Sequence, residues 1–419
     1  MPLLVAEAAR LTLPDLKTEI LETQIIRGAP MLFARVPFRN DQAETMRLLW
    51  ESATNVATSL ADPCLDAELQ GAACVTASDS RESITQDIAW KHMRRHADVC
   101  VLHTFDKRHF DRKRVEMRKQ AKYLVEDWAD QLFNGFGNGL NFHGIEYYLD
   151  YMVNTLGLTG LVRYGTDDGT SGGLPQNLSL PMITEALMQV RCGTYSAIVS
   201  DLQSFINFRA LIEAAGGNTA PMLMAENFGV SIFSHGQYNG VPWIVYDRIA
   251  AAKSTAEGQI TTATTTLTID VTGATGDVGW IGFNSLDVGR DITVAGAGAG
   301  GAVLSTTIAS VTNANVVELD DAAGTTVAAD AAVALPATNA IYMVNFDEDD
   351  GVHYRYPEVN GSFPATVGKC LPSVGGMTEI NIGLLQSCEI DRVRLRAYGN
   401  FANEGADSIV RLSHYALPY

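Results

Sequence analysis

No CxxC pair occurs in this sequence: its six cysteines, Cys64, Cys74, Cys100, Cys192, Cys370 and Cys388, are scattered. That spacing excludes a zinc ribbon or a thioredoxin-like redox centre, and thiols without a secretion signal are expected to be reduced and mostly buried. There is no run of about eighteen apolar residues, so no helical membrane span is expected. The N-terminal stretch lacks a basic start and is broken by Glu7, Pro14 and Asp15, so it is not expected to be a signal peptide. No Ser-His-Asp set, HExxH motif or paired carboxylates stand out, so neither an enzyme nor a cofactor is expected. Positive charge is scarce, with 30 Lys and Arg against 48 Asp and Glu and a net charge of -18. A free nucleic-acid binder would usually be basic; this chain repels naked DNA at long range except where its basic residues cluster. What remains is a globular composition, 47% hydrophobic and 19% charged, with ample core material.

The apolar pattern divides the chain. Residues 1–40 read as an arm, with a short helix over Leu16–Ile26 and then Gly28, Pro30, Pro37 and Asn40 keeping the chain extended. Residues 41–105 hold strand-like patches, such as Ala73–Thr76 and Val99–Phe105, but no long periodicity. They read as an excursion that packs on something else. The best helix runs from about Asp106 or Phe110 to Asn134. Its stripe is Ala121, Leu124, Val125, Trp128 and Leu132, and Gly135 and Gly137 stop it. Residues 140–180 are rich in turn formers. A short helix opens at Pro181, a strand covers Tyr195–Ser200, and a helix runs from Asp201 to Gly216. Strands are expected at Gly229–Phe233 and Val241–Tyr246. Composition then changes: residues 255–338 are lysine-free and rich in Thr, Ala, Val and Gly. Alternating strands are expected at Leu267–Val271, Asp291–Val294, Ala302–Ile308 and Asn315–Leu319, a small all-β module inside another domain. Strands resume at Ile341–Phe346, Ile380–Leu385, Ile390–Tyr398 and Ser408–Tyr415. In the third of these, Arg392, Arg394 and Arg396 face one side and Val393, Leu395 and Ala397 the other.

Several local patterns carry chemistry on paper. His92, His96 and Cys100 would share one face of a helix as metal ligands; as a strand they are an ordinary polar run, and no metal is expected. Gly135–Gly139 and Gly296–Gly301 mimic phosphate loops but lack the following Lys-Ser/Thr, and read as turns. Asp347–Asp350 lacks a calcium-loop pattern and reads as a solvated acidic turn. The strongest charge feature is a basic cluster. Lys91, Arg94, Arg95, Lys107, Arg108, Arg112, Lys113, Arg114, Arg118, Lys119 and Lys122 hold eleven of the thirty Lys and Arg. Of these, Arg94, Arg95, Arg108, Arg112, Lys113, Arg114 and Arg118 are candidate contacts to a neighbouring subunit or to DNA, with a solvated helix face as the plain alternative.

Three passages carry a family resemblance. Trp128-Ala-Asp-Gln-Leu-Phe-Asn-Gly135 followed by Phe142-His-Gly-Ile145 is similar to the helix-then-FxG passage of the major capsid proteins of tailed bacteriophages. Gln237-Tyr-Asn-Gly-Val-Pro-Trp-Ile-Val-Tyr-Asp247 resembles the hairpin of their A domain, and Ile341–Phe346 with Gly351 the strand after it. The resemblance implies the α+β fold named after coliphage Hong Kong 97. The N-terminal arm would span 1–40, the E-loop 41–105, and the P domain with its spine helix 106–180. The A domain would be 181–253, continued at 339–379 and closed by a C-terminal segment at 403–419. An inserted β domain would occupy 254–338 and P-domain strands 380–402.

That family implies a virion structural protein, made in the host cytoplasm, whose copies form pentamers and hexamers of an icosahedral shell. Its partners would be itself, packaged double-stranded DNA held non-specifically, a portal protein and separate scaffold and cement or decoration proteins, with no membrane. Some relatives crosslink an E-loop lysine to an asparagine of a neighbour; residues 41–90 here contain no lysine, so no such crosslink is expected. Only about forty residues precede the E-loop, and they lack long heptads, so scaffolding is expected to be a separate protein. The alternatives are an encapsulin, a nanocompartment shell of the same fold, and a phage fibre or adhesin.

Overall fold

The computed structural model describes residues 29–41, 46–51, 83–100, 112–137, 141–171, 173–189, 196–214, 235–238, 240–246, 248–249, 253–270, 282–357, 377–385, 390–405 and 407–417. The sequence-based helix at 16–26 and the strands at 73–76 and 229–233 lie outside them, as does Arg108.

Helix α1 (Ala29–Arg35) leads into β1 (Phe38–Asp41), and β2 (Met46–Glu51) pairs antiparallel with β3 (Ser83–Ile88). Two residues later begins β4 (Lys91–Cys100), followed by the long helix α2 (Arg112–Asn134) and by α3 (Ile145–Asn154). At 1.5 Å per residue α2 is a rod of about 35 Å. Its buried residues include Ala121, Leu124, Val125, Trp128, Ala129, Leu132 and Phe133, the stripe expected from the spacing. Helix α3 was not expected, because its region reads as turns. Its buried Ile145, Tyr148, Leu149 and Met152 nevertheless fall at helical spacing.

The turn between the two helices is tight. The Gly135 N–H donates to the Gln131 carbonyl at 3.0 Å, and the Gly144 N–H to Gly135 at 2.7 Å. A Cβ on Gly144 would lie 2.4 Å from the Gln131 oxygen, and Gly137 has φ +75. Only glycine fits either position, so the helix ends where the sequence places its stop.

After β5 (Val162–Tyr164) come α4 (Leu180–Leu187), β6 (Ala197–Ser200), α5 (Leu202–Ala214), β7 (His235–Tyr238) and β8 (Val241–Val245). Six strands follow: β9 (Lys253–Ile260), β10 (Thr266–Ile269), β11 (Asp291–Val294), β12 (Leu304–Asn313), β13 (Val316–Leu319) and β14 (Val327–Leu335). They close into a barrel in the order β10-β13-β12-β11-β14-β9. In β10, β11 and β13 alternate residues are buried, so Leu267, Ile269, Ile292, Val294, Val317 and Leu319 fill the interior. The barrel has its own hydrophobic cluster, drawn only from residues 260–335.

The chain ends with β15 (Ala340–Val344), β16 (Val352–Pro357), β17 (Met377–Leu385), β18 (Ile390–Asn403) and β19 (Ile409–Ser413). A mixed sheet runs β5-β19-β15-β6-β8-β7, and every residue of its central strands β6, β15 and β19 is buried. The strands on either side of the barrel, β8 and β15, thus belong to one sheet. The remaining sheet centres on β18. Its residues 390–397 pair with both β4 and β17, and 400–403 pair with β16, which also pairs parallel with β1.

Two assignments shift. Residues 91–100, expected within the E-loop, form a strand of the β18 sheet, because their alternation puts Met93, Ala97 and Val99 on the covered side. Residues 352–357, expected in the A domain, join the same sheet beside β1.

Trp128, fully buried, joins these elements: its ring lies 5.1 Å from Phe33, 5.7 Å from Phe38, 5.8 Å from Tyr354 and 5.0 Å from Phe401, between ring centroids. Trp128→Ala is expected to destabilise the chain by about 3–5 kcal/mol in urea unfolding, and Trp128→Phe by much less. Because the barrel has a separate core, residues 250–338 expressed alone are expected to give dispersed amide NMR spectra and a cooperative melt.

Candidate assembly surfaces

Three arrangements of charged side chains stand out among the described residues. The first lies on β4 and β18. In β4 the odd-numbered residues face α2: Arg95 makes a bidentate pair with Asp127 of α2, at 2.6 and 2.8 Å, and its guanidinium lies over the Tyr123 ring. The even-numbered residues point away from the helix. Antiparallel register puts Arg392 opposite Asp98, Arg394 opposite His96, Arg396 opposite Arg94, and Tyr398 opposite His92. Arg392 and Asp98 form a bidentate pair at 2.6 Å, and that hydrogen bond holds the Asp98 carboxyl below the usual range. Burial, and then Arg392 and Arg394, lower the His96 pKa, so this imidazole adds no charge at neutral pH. Among the described residues this face of β4 and β18 carries four arginines and one carboxylate. Like charges directly opposite each other, as Arg94 and Arg396 are, cost a few tenths of a kcal/mol to about 1 kcal/mol.

The candidate contacts read from sequence therefore separate. Arg94 is exposed on the outer face of β4, whereas Arg95 is engaged within the chain. Arg112, Lys113, Arg114 and Arg118 occupy the first two turns of α2. Arg394 and Arg396 were outside the sequence cluster because strand register, not proximity in the chain, brings them to Arg94. The alternation of arginine with apolar residues was the available signal. His92, His96 and Cys100 lie on one face of a strand, so consecutive members are about 13 Å apart and cannot share an ion. Among the described residues no group of His, Cys, Asp or Glu is arranged to hold a metal. Gly296 and Gly300 sit in turns at positive φ. Asp347 caps its own turn, accepting from the Asp349 and Asp350 N–H groups at 2.9 and 3.1 Å.

The second arrangement clips the N-terminal strand. Arg39 of β1 donates to the Glu348 carbonyl at 3.0 Å and pairs with Asp349 and Glu404. Buried Arg355 of β16 bridges Asp41 and Glu404, and its Nε donates to His353 Nε2 at 2.9 Å. His353 must be neutral to accept.

The third arrangement seats the barrel. Asp287, in the loop before β11, is fully buried between Lys253 (2.7 Å) and Arg290 (2.8 Å). Burial alone would raise its pKa, but the two cations outweigh it and hold the carboxyl low. Lys253 also donates to the Gly282 carbonyl and Arg290 to that of Pro336, so both connections of the barrel are tied to one carboxylate. The same loop meets the body: Asn284 donates to Glu146 and the Ser285 N–H to Asp150, both on α3, and Arg411 of β19 donates to the Leu286 carbonyl. These buried charges lie in a low-charge stretch and carried no sequence signal.

Neither a family model nor a curated protein matches this sequence. Solved structures do match. The holo-SrpI encapsulin complex from Synechococcus elongatus PCC 7942 aligns at 12% identity with a TM-score of 0.50, over 93% of this chain and 88% of that one. The cyanophage Pam1 capsid asymmetric unit aligns at 9% identity and a TM-score of 0.43, over 94% and 93%, and Mycobacterium phage Bobi at 10% and 0.41, over 98% of each. This chain shares the α+β fold of the encapsulin along nearly its whole length.

Two outcomes test these contacts. Asp287→Ala strands two buried cations and is expected to cost about 3–5 kcal/mol in urea unfolding. His143, His353 and His414 are all pushed down to about 4, chiefly by burial and then by neighbouring cations (Lys91, Arg355 and Arg411). Each stays neutral when folded but takes up a proton near 6.5 when unfolded, so stability is full above 6.5 and is lost as pH falls towards 4. By pH 4 the unfolding equilibrium should shift by about tenfold or more per histidine, and replacing one with a neutral isostere should flatten the profile.

Proposed function

We propose that this chain is the major capsid protein of a tailed bacteriophage, a structural subunit and not a catalyst. Its copies would assemble as pentamers and hexamers into an icosahedral shell around double-stranded DNA. The observation that carries the reading is the shared fold: a long helix laid across a sheet, a separate two-stranded β2–β3 sheet, and a six-stranded sheet. On this reading α1 and β1 belong to the arm, β2 and β3 to the E-loop, and α2, β4, β17 and β18 to the P domain. The sheet containing β15 is the A domain, and the barrel is an insertion carried on the outside of the shell.

The fold suits this work physically. A strand such as β1, added at a sheet edge and held by ion pairs, is an appendage, and appendages join subunits without enlarging each core. The chain's net negative charge keeps a container wall from adhering to a polyanionic cargo. A portal and separate scaffold and cement proteins complete the assembly, which proceeds in the host cytoplasm.

An encapsulin shell is the second reading, favoured by the likeness to the SrpI complex. The inserted barrel, with its Thr- and Ala-rich surface, favours the phage reading.

Expression of the chain, alone or with its neighbouring genes, should give closed particles in negative-stain images, with nuclease-resistant DNA when assembled in an infected host. Particles that hold a protein cargo and no DNA would favour the encapsulin, and a compact monomer under every condition would refute both. With no lysine in residues 41–90, boiled particles should run as monomers on SDS gels.

A further inference from the structure

The seam between barrel and body buries a cation that its own chain pairs poorly. Register puts Arg411 beside Tyr342 and Ser413 beside Tyr164, so Tyr342, Arg411 and Tyr164 share one face of the six-stranded sheet. The loop before β11 covers that face, with the Leu286 carbonyl at Arg411 and Gly289 against His414. Arg411 is 1% exposed. Among the described residues its guanidinium makes one hydrogen bond, from Nη1 to that carbonyl at 3.2 Å, and no ion pair, and its Nε has no partner. A guanidinium taken out of water needs its donors met.

The carboxylates nearby are occupied. Glu146 accepts from Asn284 and Tyr342, Asp287 from Lys253, Arg290 and the Asn284 N–H, and Asp150 from Ser285 and Asn154. Asp291, which also lies near His414, is exposed to solvent. Among the described residues of the seam, three buried cations, Lys253, Arg290 and Arg411, thus stand against two buried carboxylates, Asp287 and Glu146. Burial opposes the Arg411 charge, but Tyr342, Glu146, Tyr164 and Asp287 outweigh it, so the group stays a cation.

Two more donors adjoin it. His414, at φ +56, lays its ring 5.1 Å from that of Tyr164, with Nδ1 3.0 Å from the Ser413 hydroxyl. Ser413 as donor to Nδ1 leaves the proton of the neutral ring on Nε2. That nitrogen is buried and has no hydrogen-bond partner beyond a loose approach to the Gly289 backbone. A water accepts about two hydrogen bonds and must place its own protons, for which a set of donors offers little. A monatomic anion accepts from every donor and supplies the missing charge. We infer that a chloride-sized anion binds between Arg411, Tyr164, His414 and the loop before β11, and fastens the foot of the barrel.

Strands β5 and β19 belong to the body and the loop to the barrel, so the site is complete only when the barrel is seated. Binding and seating are therefore linked. The inference concerns one subunit and does not depend on what copies of the chain assemble into.

Hydrogen exchange of the unassembled full chain tests it, with chloride replacing gluconate at constant ionic strength. The amides of Leu286, Asp287 and Arg290 should gain protection saturably, about tenfold when chloride reaches ten times its dissociation constant. The amides of α2 should show no such gain. Bromide should act in the same way, and in crystals grown with bromide its anomalous signal should lie against the Arg411 Nε. Arg411→Met, which replaces the buried charge by an apolar chain, should abolish the chloride dependence. Tyr164→Phe removes only a half-buried hydroxyl and should raise the chloride concentration for half effect at least about threefold. Should Arg411→Met fail to fold, Tyr164→Phe and the bromide signal of the unmodified chain still decide. Equal protection in chloride and gluconate would overturn the inference and leave the seam to water. A gain that persists in Arg411→Met would overturn it as a general salt effect, and bromide found only on the exposed surface would be an adventitious ion only.

Discussion

Trp128 sits where four separate parts of the chain must meet. Phe33 of α1 and Phe38 of β1 press on it from the N-terminal side, and Tyr354 of β16 and Phe401 of β18 from segments more than two hundred residues later. These rings are large, apolar and geometrically particular, so one side chain fixes how α2 crosses the β18 sheet and where the N-terminal strand can lie. The polar contacts around it are consequences of that crossing. Once Phe38 is seated, β1 runs beside β16, and Arg39, Asp41, Arg355 and Glu404 fall within reach of one another. The same crossing brings Asn400 to the turn after α2, where it accepts from the His143 N–H and donates to the Ala89 carbonyl. That pair of bonds ties the start of β4 to the end of α2.

The barrel obeys a different constraint. Its interior excludes the body's core, yet its base is not a flexible tether: a buried carboxylate, two buried cations and a loop bonded to α3 and β19 hold it at one angle. Buried charge of this kind adds less to stability than apolar packing would, but it discriminates strongly between one seating and any other.

How much of this was legible beforehand depended on whether the signal was local. The stripe of α2, its glycine stop, α5, β8 and β11 were readable because spacing and turn residues act within a few positions. Helix α3 was hidden by the turn formers around it, although Ile145, Tyr148, Leu149 and Met152 keep helical spacing. Strands β9 and β14 were hidden because Gly258 and a run of alanines blur the alternation where the two strands shift register. Lys253, Asp287 and Arg290 gave no cue, since a buried ion triad is defined by proximity that no spacing encodes. The basic cluster was seen as a cluster but not as two faces. Strand alternation divides Arg94 from Arg95, and only the pairing of β4 with β18 adds Arg394 and Arg396.

That division changes what the charge can do. Arg95, facing inward, is neutralised by Asp127 and works as a cross-brace between sheet and helix, so its removal would loosen the subunit. Arg94, Arg394 and Arg396 lie on the opposite face of the paired strands, at intervals of about 7 Å along each strand. A row of charges held at fixed spacing by backbone hydrogen bonds loses little entropy on meeting a partner, unlike the same arginines on a mobile tail.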